Sequence, residues 1–279
     1  MKTNLFGASE FDVKTNCRIK YYYDSSGNLY PTQLLYCRDR KIFLPPEFEL
    51  DVTPKQHTKR KDNDTEVSLC SANSESAIIR AKKNLYDIIR CNPFTHFVTL
   101  TFDNAVVDRE DYTSVVRRFS QWCDNRVRRK DFIYAGVIER HKQSNGLHFH
   151  VLCNDVLTFV DSGTVKCVGR KKPIRIATAD KYKIPESDRK TVYNIPEWSY
   201  GFSTALEITN DDKCVKVANY LKKYLTKDFE KIGGRYYYSG GNLRRPVYKY
   251  VDYEINEDEA DFVFSVGGVC YYGQCLERM

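Results

Sequence analysis

Two common sequence signals are missing from this chain of 279 residues. No apolar run approaches the roughly 18 residues that a membrane-spanning helix needs, and the start, MKTNLFGASEFDVKTN, lacks the apolar core of a signal peptide. We therefore expect a cytoplasmic protein with no membrane partner. The ten cysteines never form a Cys-x-x-Cys pair, so a structural zinc ribbon is not expected. Without an export signal, these cysteines are expected to be reduced thiols.

Histidine is also scarce, and its distribution along the chain is uneven. Three of the five histidines, His141, His148 and His150, lie in the stretch GVIERHKQSNGLHFHVLCN, residues 136–154. Two explanations are open. Either a polar hairpin happens to carry exposed imidazoles, or the hairpin forms part of a metal site.

The positive charge of the chain is modest but clustered. Lys and Arg outnumber Asp and Glu by 44 to 37, a net charge of +7, which alone favours a polyanionic partner only weakly. Basic stretches interleaved with aromatic residues suit single-stranded nucleic acid, where cations follow the phosphates and rings stack on bases. An ordinary solvated helix face is the alternative for each stretch. The candidate DNA-binding residues are Arg117, Arg118, Arg128, Arg129, Arg170, Lys171, Lys172, Arg244 and Arg245.

The first part of the chain reads as an accessory region and a linker. Aromatic and polar residues alternate around SSGN in residues 17–44, which predicts a β-hairpin within a β-rich region over residues 1–52. Residues 53–73 begin with TPKQHTKRKDNDTE, which is almost free of apolar residues and predicts a linker.

From residue 74 onward, helical and strand patterns are mixed without a regular strand–helix–strand alternation. The first patterns predict a helix capped by Ser74 or Ser76, a strand over 96–104 and a helix from Asp108. One face of this second helix carries Tyr112, Val115, Phe119 and Trp122. Two strands around QSNG follow, then an irregular basic stretch over 155–198, a strand over 201–208 and a helix over 212–231. This order predicts an α+β fold with a central, mainly antiparallel sheet flanked by helices.

Strand geometry decides whether the histidine hairpin can build a metal site. Successive side chains of a strand point to opposite faces, so His148 and His150 share a face, as do Glu139 and His141. Any even-numbered loop puts all four side chains on one surface. Two imidazoles and the Glu139 carboxylate can then meet on one divalent cation and leave coordination positions open, as a catalytic metal requires. His141 is either a fourth ligand or a residue that orients the others.

The last predicted helix carries two tyrosines one turn apart, Tyr220 and Tyr224, in VANYLKKYLTKD. Lys223 and Lys227 each follow a tyrosine by three residues. The tyrosines lie about 100° around the helix from Leu221, which marks the buried stripe. They could simply border an amphipathic helix. Alternatively, a tyrosine hydroxyl attacks a phosphodiester, with a metal and a lysine to manage the charge, and yields a 5′-phosphotyrosine and a free 3′-hydroxyl.

Three motifs in this order resemble those of the HUH endonuclease superfamily, specifically the phage and plasmid rolling-circle replication initiators of the filamentous-phage gene II and microvirus gene A kind. The motifs are FVTLTF (97–102), HFH (148–150) with Glu139 upstream, and YLKKYLTK (220–227). WSYGFSTALEI before the last helix and RYYYSGGNLRRP after it are similar to such initiators as well.

The resemblance implies an endonuclease domain over residues 74–246, with a five-stranded antiparallel sheet flanked by helices, and a C-terminal extension over residues 247–279. For the site, it implies Mg²⁺ or Mn²⁺ held by Glu139, His148 and His150, with Tyr220 and Tyr224 as nucleophiles. The substrate would be single-stranded DNA at a replication origin, in the cytoplasm of a bacterial host cell. No Gly-x-x-x-x-Gly-Lys-[Ser/Thr] loop is present, so a host helicase would be needed in addition to a host DNA polymerase.

The leading hypothesis is thus a metal-dependent nickase and strand transferase that starts rolling-circle replication. A relaxase or a tyrosine transposase would use the same chemistry. A single-stranded nucleic-acid-binding protein without catalysis would use the same surface without the metal, and a water-using metallohydrolase would form no adduct with DNA.

Overall fold

The computed structural model describes residues 14–24, 26–38, 40–45, 67–140, 146–208, 216–221, 235–254 and 257–276, with residues 67–75 and 257 described by their backbone. The chain forms two compact units, one from residues 1–66 and 245–279 and the other from residues 67–244. Residues 53–66 of the linker predicted over 53–73, like His141, Lys223, Tyr224 and Lys227, lie outside the described residues, and residues 67–73 belong to a helix.

Strands outnumber helices in the described parts of both units. In chain order, the elements are β1 (Cys17–Tyr23), β2 (Leu29–Cys37), α1 (Val67–Cys91), β3 (His96–Phe102), α2 (Tyr112–Lys130), β4 (Tyr134–Arg140), β5 (Leu147–Cys153), β6 (Val160–Cys167), β7 (Ile174–Arg175), α3 (Ile176–Lys181), β8 (Arg189–Asn194), β9 (Gly201–Glu207), β10 (Tyr238–Gly240), β11 (Val247–Val251), β12 (Phe262–Val266) and β13 (Val269–Cys275). Residues 216–221 are also helical.

The first unit contains an antiparallel sheet of five strands in the order β11-β1-β2-β13-β12. The hairpin predicted near the start of the chain is confirmed as β1 and β2, whose turn is closed by the backbone N–H of Asp24 donating to the carbonyl of Asn28 at 2.9 Å. Tyr36 is buried in the small core of this unit, and its ring stacks on that of Tyr272 with 5.3 Å between centroids.

The second unit contains an antiparallel sheet of eight strands in the order β10-β4-β5-β3-β9-β8-β6-β7. Because strand side chains alternate, its central strands β4, β5 and β3 present two different faces. On one face, Phe149 of β5 stacks on Phe119 of α2 with 3.7 Å between ring centroids. On the other, Leu152 of β5 packs in a second core with α1 and the helical residues 216–221.

The predicted α+β class with antiparallel pairing is confirmed, but the expectation of a single five-stranded sheet was wrong, because the described residues form sheets of five and eight strands. Residues 155–198, expected to be irregular, contain β6, β7 and β8. These strands escaped detection for a physical reason. β6 (VDSGTVKC) and β8 (RKTVYN) are mostly polar, and β7 is two residues long, so none shows the alternation of apolar residues that marks a half-buried strand.

The starts of two helices differ from the prediction. α1 begins at Val67, upstream of the predicted caps Ser74 and Ser76. α2 begins at Tyr112 rather than near Asp108, because the Asp111 carboxylate caps it by accepting hydrogen bonds from the first backbone N–H groups of the helix. Tyr112, expected on the buried face, is 51% exposed, since the first turn of α2 extends beyond the core.

Two further expectations concern cysteines and membranes. All cysteines whose side chains are described carry free thiols, and burial raises the pKa of the Cys17 thiol to about 11. In the described ranges, none of the helices combines the length and the hydropathy that crossing a bilayer requires.

The stacked pair Phe149 and Phe119 yields a test of the core. Both rings are fully buried, so Phe149→Ala removes a large side chain from a packed interior and is expected to destabilise the second unit by about 3–5 kcal/mol. Phe202→Ala, at a position 72% exposed in the same sheet, is the control and should leave stability nearly unchanged. Urea unfolding followed by circular dichroism measures both; equal midpoints for the two variants would contradict the assigned core.

Candidate metal centre

The β4–β5 hairpin pairs Glu139 directly with His148, and Val137 with His150. This register shows that an even number of residues connects the two strands, which was the condition for these side chains to share a surface. The strands approach closely because β4 contains Gly136, where a Cβ atom would lie 2.5 Å from the carbonyl oxygen of His150. Any larger residue at this position would push β4 away from β5.

The three side chains converge on one point. A single carboxylate oxygen, Oε2 of Glu139, lies 3.2 Å from Nε2 of His148 and 3.2 Å from Nε2 of His150. The two imidazole rings are perpendicular, with centroids 4.8 Å apart. One potential ligand atom from each residue lies within 4.8 Å of those from the other two. Two imidazole nitrogens and one carboxylate oxygen form a donor set that suits a divalent transition-metal or magnesium-like cation with open coordination positions.

β3 supports His150 from the side opposite Glu139. Thr99 is the register partner of His150, and its Oγ1 lies 3.2 Å from His150 Nδ1. Phe97 stacks against the imidazole of His150, with 5.7 Å between centroids and 8° between planes. A metal-binding Nε2 must be unprotonated, and an Nδ1–H that donates to Thr99 leaves Nε2 in that state while fixing the ring.

Burial keeps the cluster ordered but accessible. The side chains of Glu139, His148 and His150 retain 12%, 14% and 9% of their exposure. Their neighbours on the same strand, Phe149 and Val151, point to the opposite face and lie in the core under α2. The cluster is therefore a partly buried group on one face of the sheet, where charge interactions are stronger than in bulk water.

Tyr220 is the predicted nucleophile that the structure brings next to this cluster. Its ring lies edge-on to His150, with 6.3 Å between centroids, and edge-on to Phe97 at 5.8 Å. Ala218 and Leu221 of the same helical segment are fully buried, whereas Tyr220 is 44% exposed. The segment thus packs by one side of the helix and presents Tyr220 beside the cluster.

Seven of the nine predicted basic residues lie away from the cluster. Arg117, Arg118, Arg128 and Arg129 belong to α2, which covers the face of the sheet opposite the cluster. Arg170, Lys171 and Lys172 lie in the connection between β6 and β7, four or more strands away from β5 in the sheet order. Arg244 and Arg245 lie between β10 and β11.

Two contributors to the site were missed in the sequence. Thr99 and Phe97 were recognised as part of a strand, but nothing in the strand itself says that it pairs with β5. The available signal was alternation. HFVTLTF carries Phe97, Thr99 and Thr101 on one face, and these become neighbours of the histidines once β3 is placed beside β5.

Residues 95–229 match the family model of the replication-associated proteins of the ORF2 and phage gene II protein type. The matched segment contains all three motifs as well as the cluster and Tyr220, and it confirms the resemblance to rolling-circle replication initiators. No curated protein and no solved structure matched the chain.

The cluster predicts metal binding that depends on Glu139. Mn²⁺ should raise the thermal unfolding midpoint of the parent protein, because it binds the folded state only. Glu139→Gln removes the charged ligand and should abolish most of this shift. Glu207→Gln is the matched control, since Glu207 is an exposed carboxylate of β9 in the same sheet. An equal Mn²⁺-induced shift in the parent and in Glu139→Gln would rule out this site.

The support from β3 gives a second, subtler prediction. Thr99→Val keeps the shape of the side chain but removes the hydroxyl that holds His150, and it should weaken Mn²⁺ binding about tenfold. Thr204→Val is the control. Thr204 of β9 pairs with Thr99 and faces the same side of the sheet, but it is not the register partner of a histidine. Isothermal titration with Mn²⁺ measures both; unchanged affinity in Thr99→Val would show that the hydroxyl does not orient the ligand.

Proposed function

We propose that this chain, whose residues 95–229 match a replication-associated protein family, is a replication initiator that nicks and rejoins single-stranded origin DNA. The observation that carries the proposal is the position of Tyr220, whose ring lies 6.3 Å from that of His150 beside Glu139 and His148. A nucleophile next to a three-donor cation site is the arrangement that metal-assisted phosphoryl transfer needs.

The cation would be Mg²⁺ or Mn²⁺, held by Glu139, His148 and His150. When bound, it would polarise the scissile phosphate and offset the charge that develops on it. Glu139 would supply the negative charge that retains the cation. Thr99 would keep the proton of His150 on Nδ1, so that Nε2 stays available as a ligand.

The protein's own part in the reaction is carried by the tyrosine. The Tyr220 hydroxyl oxygen attacks the phosphorus, a new O–P bond forms, and the bond from phosphorus to the 3′-oxygen breaks. The phenolic proton leaves as the hydroxyl attacks, and the departing 3′-oxygen takes up a proton. The products are a 5′-phosphotyrosine and a free 3′-hydroxyl. No water is consumed, so the reverse attack by a 3′-hydroxyl can reseal the strand.

Tyr224 would be the second nucleophile of this scheme, one helical turn after Tyr220. Lys223 and Lys227 would act beside the tyrosines, where an ammonium group can stabilise the leaving oxygen. The nine basic residues named from the sequence would hold more distant parts of the DNA. In the cytoplasm of a bacterial host, a host helicase would separate the strands and a host polymerase would extend the 3′-hydroxyl.

Covalent trapping tests the proposal. The protein is incubated with Mn²⁺ and a random-sequence pool of single-stranded oligonucleotides labelled at the 3′ end, and labelled protein is detected on a denaturing gel. The parent is expected to carry the label, because the 5′-phosphotyrosine retains the fragment downstream of the nick. Mass spectrometry of the adduct should identify Tyr220 or Tyr224.

The variants make the outcome decisive. Tyr220→Phe with Tyr224→Phe should lose the adduct completely, and Tyr182→Phe, an exposed tyrosine of another part of the second unit, should retain it. An adduct that persists in the double variant would contradict tyrosine chemistry. Cleavage without an adduct would indicate a metallohydrolase, and binding without cleavage would indicate a non-catalytic DNA-binding protein.

A further inference from the structure

An exposed phenylalanine lies in the same row of the sheet as His148. In the register, His148 of β5 pairs with Thr101 of β3, and Thr101 pairs with Phe202 of β9. Directly paired residues of adjacent strands project from the same face. The three side chains therefore cross the sheet in a line, and Phe202 lies on the face that carries the candidate metal centre.

Phe202 projects from β9 on the face opposite the core under α2. It is 72% exposed, whereas Ala205, which projects from the other face of β9, is fully buried under α2. Thr204, two residues along from Phe202 on the same face, is also exposed. This ring contributes little to the hydrophobic core, and its position is explained better by a ligand than by packing.

The backbone on each side of Phe202 is held firmly against β3. Gly201 has φ +155°, and a Cβ atom there would lie 2.3 Å from the carbonyl oxygen of Thr101. The backbone N–H of Asp103 donates to the carbonyl of Tyr200 at 2.9 Å, and the indole N–H of Trp198 donates to the carbonyl of Thr101 at 3.1 Å. The backbone that carries the Phe202 ring is thus fixed against β3.

We propose that Phe202 is a stacking platform for a base of single-stranded DNA whose neighbouring phosphodiester lies at the metal centre. The inference rests on the proposed function and adds a binding subsite to it. Every base has a π face, so an aromatic ring can take a base with little regard to sequence. Adjacent strands are about 4.8 Å apart, so the Cα atoms of Phe202 and His148 are roughly 10 Å apart, within reach of a base close to the reacting phosphate.

Thr101 lies between the ring and the metal cluster and completes the subsite. Its hydroxyl can donate to a phosphate oxygen of the strand that passes from His148 to Phe202. Among the other exposed aromatic residues that the structure describes in this unit, Tyr220 lies beside the cluster as the proposed nucleophile, and Tyr112 and Tyr182 lie away from it. Tyr112, for example, is 51% exposed but belongs to α2, on the opposite face of the sheet.

Binding in the absence of metal tests this subsite separately from catalysis. The full chain is titrated, in EDTA, into a fluorescent single-stranded oligonucleotide, and anisotropy gives the dissociation constant. A second oligonucleotide carries 2-aminopurine at successive positions, whose fluorescence is quenched when the base stacks. Phe202→Ala should weaken binding about tenfold, since one stacked base is lost. Phe202→Trp should restore binding, and Tyr112→Ala should bind as the parent does.

Quenching of 2-aminopurine at one position in the parent, lost in Phe202→Ala and regained in Phe202→Trp, would support stacking on this ring. Equal affinities and equal quenching in the parent and in Phe202→Ala would overturn the proposal, as would a parent that does not bind single-stranded DNA. A parent that binds through Phe202 yet forms no covalent adduct would leave the platform standing and refute the nickase. Adduct formation together with binding and quenching that are insensitive to Phe202→Ala would support the nickase and refute the stacking platform.

Discussion

The register between β4 and β5 is the constraint on which the candidate site depends. It sets Glu139 opposite His148 and leaves His150 one step along the same face. A slip of one residue would turn the Glu139 carboxylate toward the face that packs on α2, next to the stacked rings of Phe149 and Phe119. Burying an unpaired carboxylate there would be strongly unfavourable. The apolar core therefore enforces the geometry of the polar cluster.

The same sheet has two unequal faces. α2 fills one of them with large apolar side chains, while among the described residues α1 and the helical residues 216–221 pack on part of the other. His150 lies at the edge of that packed part, buried against Phe97 and within hydrogen-bond distance of Thr99, and Phe202 is exposed on the same face. A site at such an edge has a rigid interior on one side and room for an extended polymer on the other.

Whether a feature of the site can be predicted from the sequence depends on how far apart in the chain the interacting residues are. Alternation along a strand and the parity of a loop are local, so they sufficed to put Glu139, His148 and His150 on one surface. The pairing of β3 with β5, which brings Thr99 to His150, is a long-range choice that no local pattern encodes. β6 and β8 were not predicted because both strands are mostly polar and lack the alternation of apolar residues that marks a strand. The closeness of Tyr220 to the histidines followed only from the resemblance to a known family.

Strands carry the candidate metal ligands, whereas a helical segment carries the candidate nucleophile Tyr220. The candidate metal ligands are fixed by β4 and β5 of the eight-stranded sheet, whose hydrogen-bonded ladders leave them little freedom. Tyr220 is instead positioned by a helical segment that is anchored by the burial of Ala218 and Leu221. Small shifts of that segment would move the tyrosine hydroxyl without disturbing the cation site. Under the proposed function, this division would let a cation stay in place while the nucleophile approaches and withdraws.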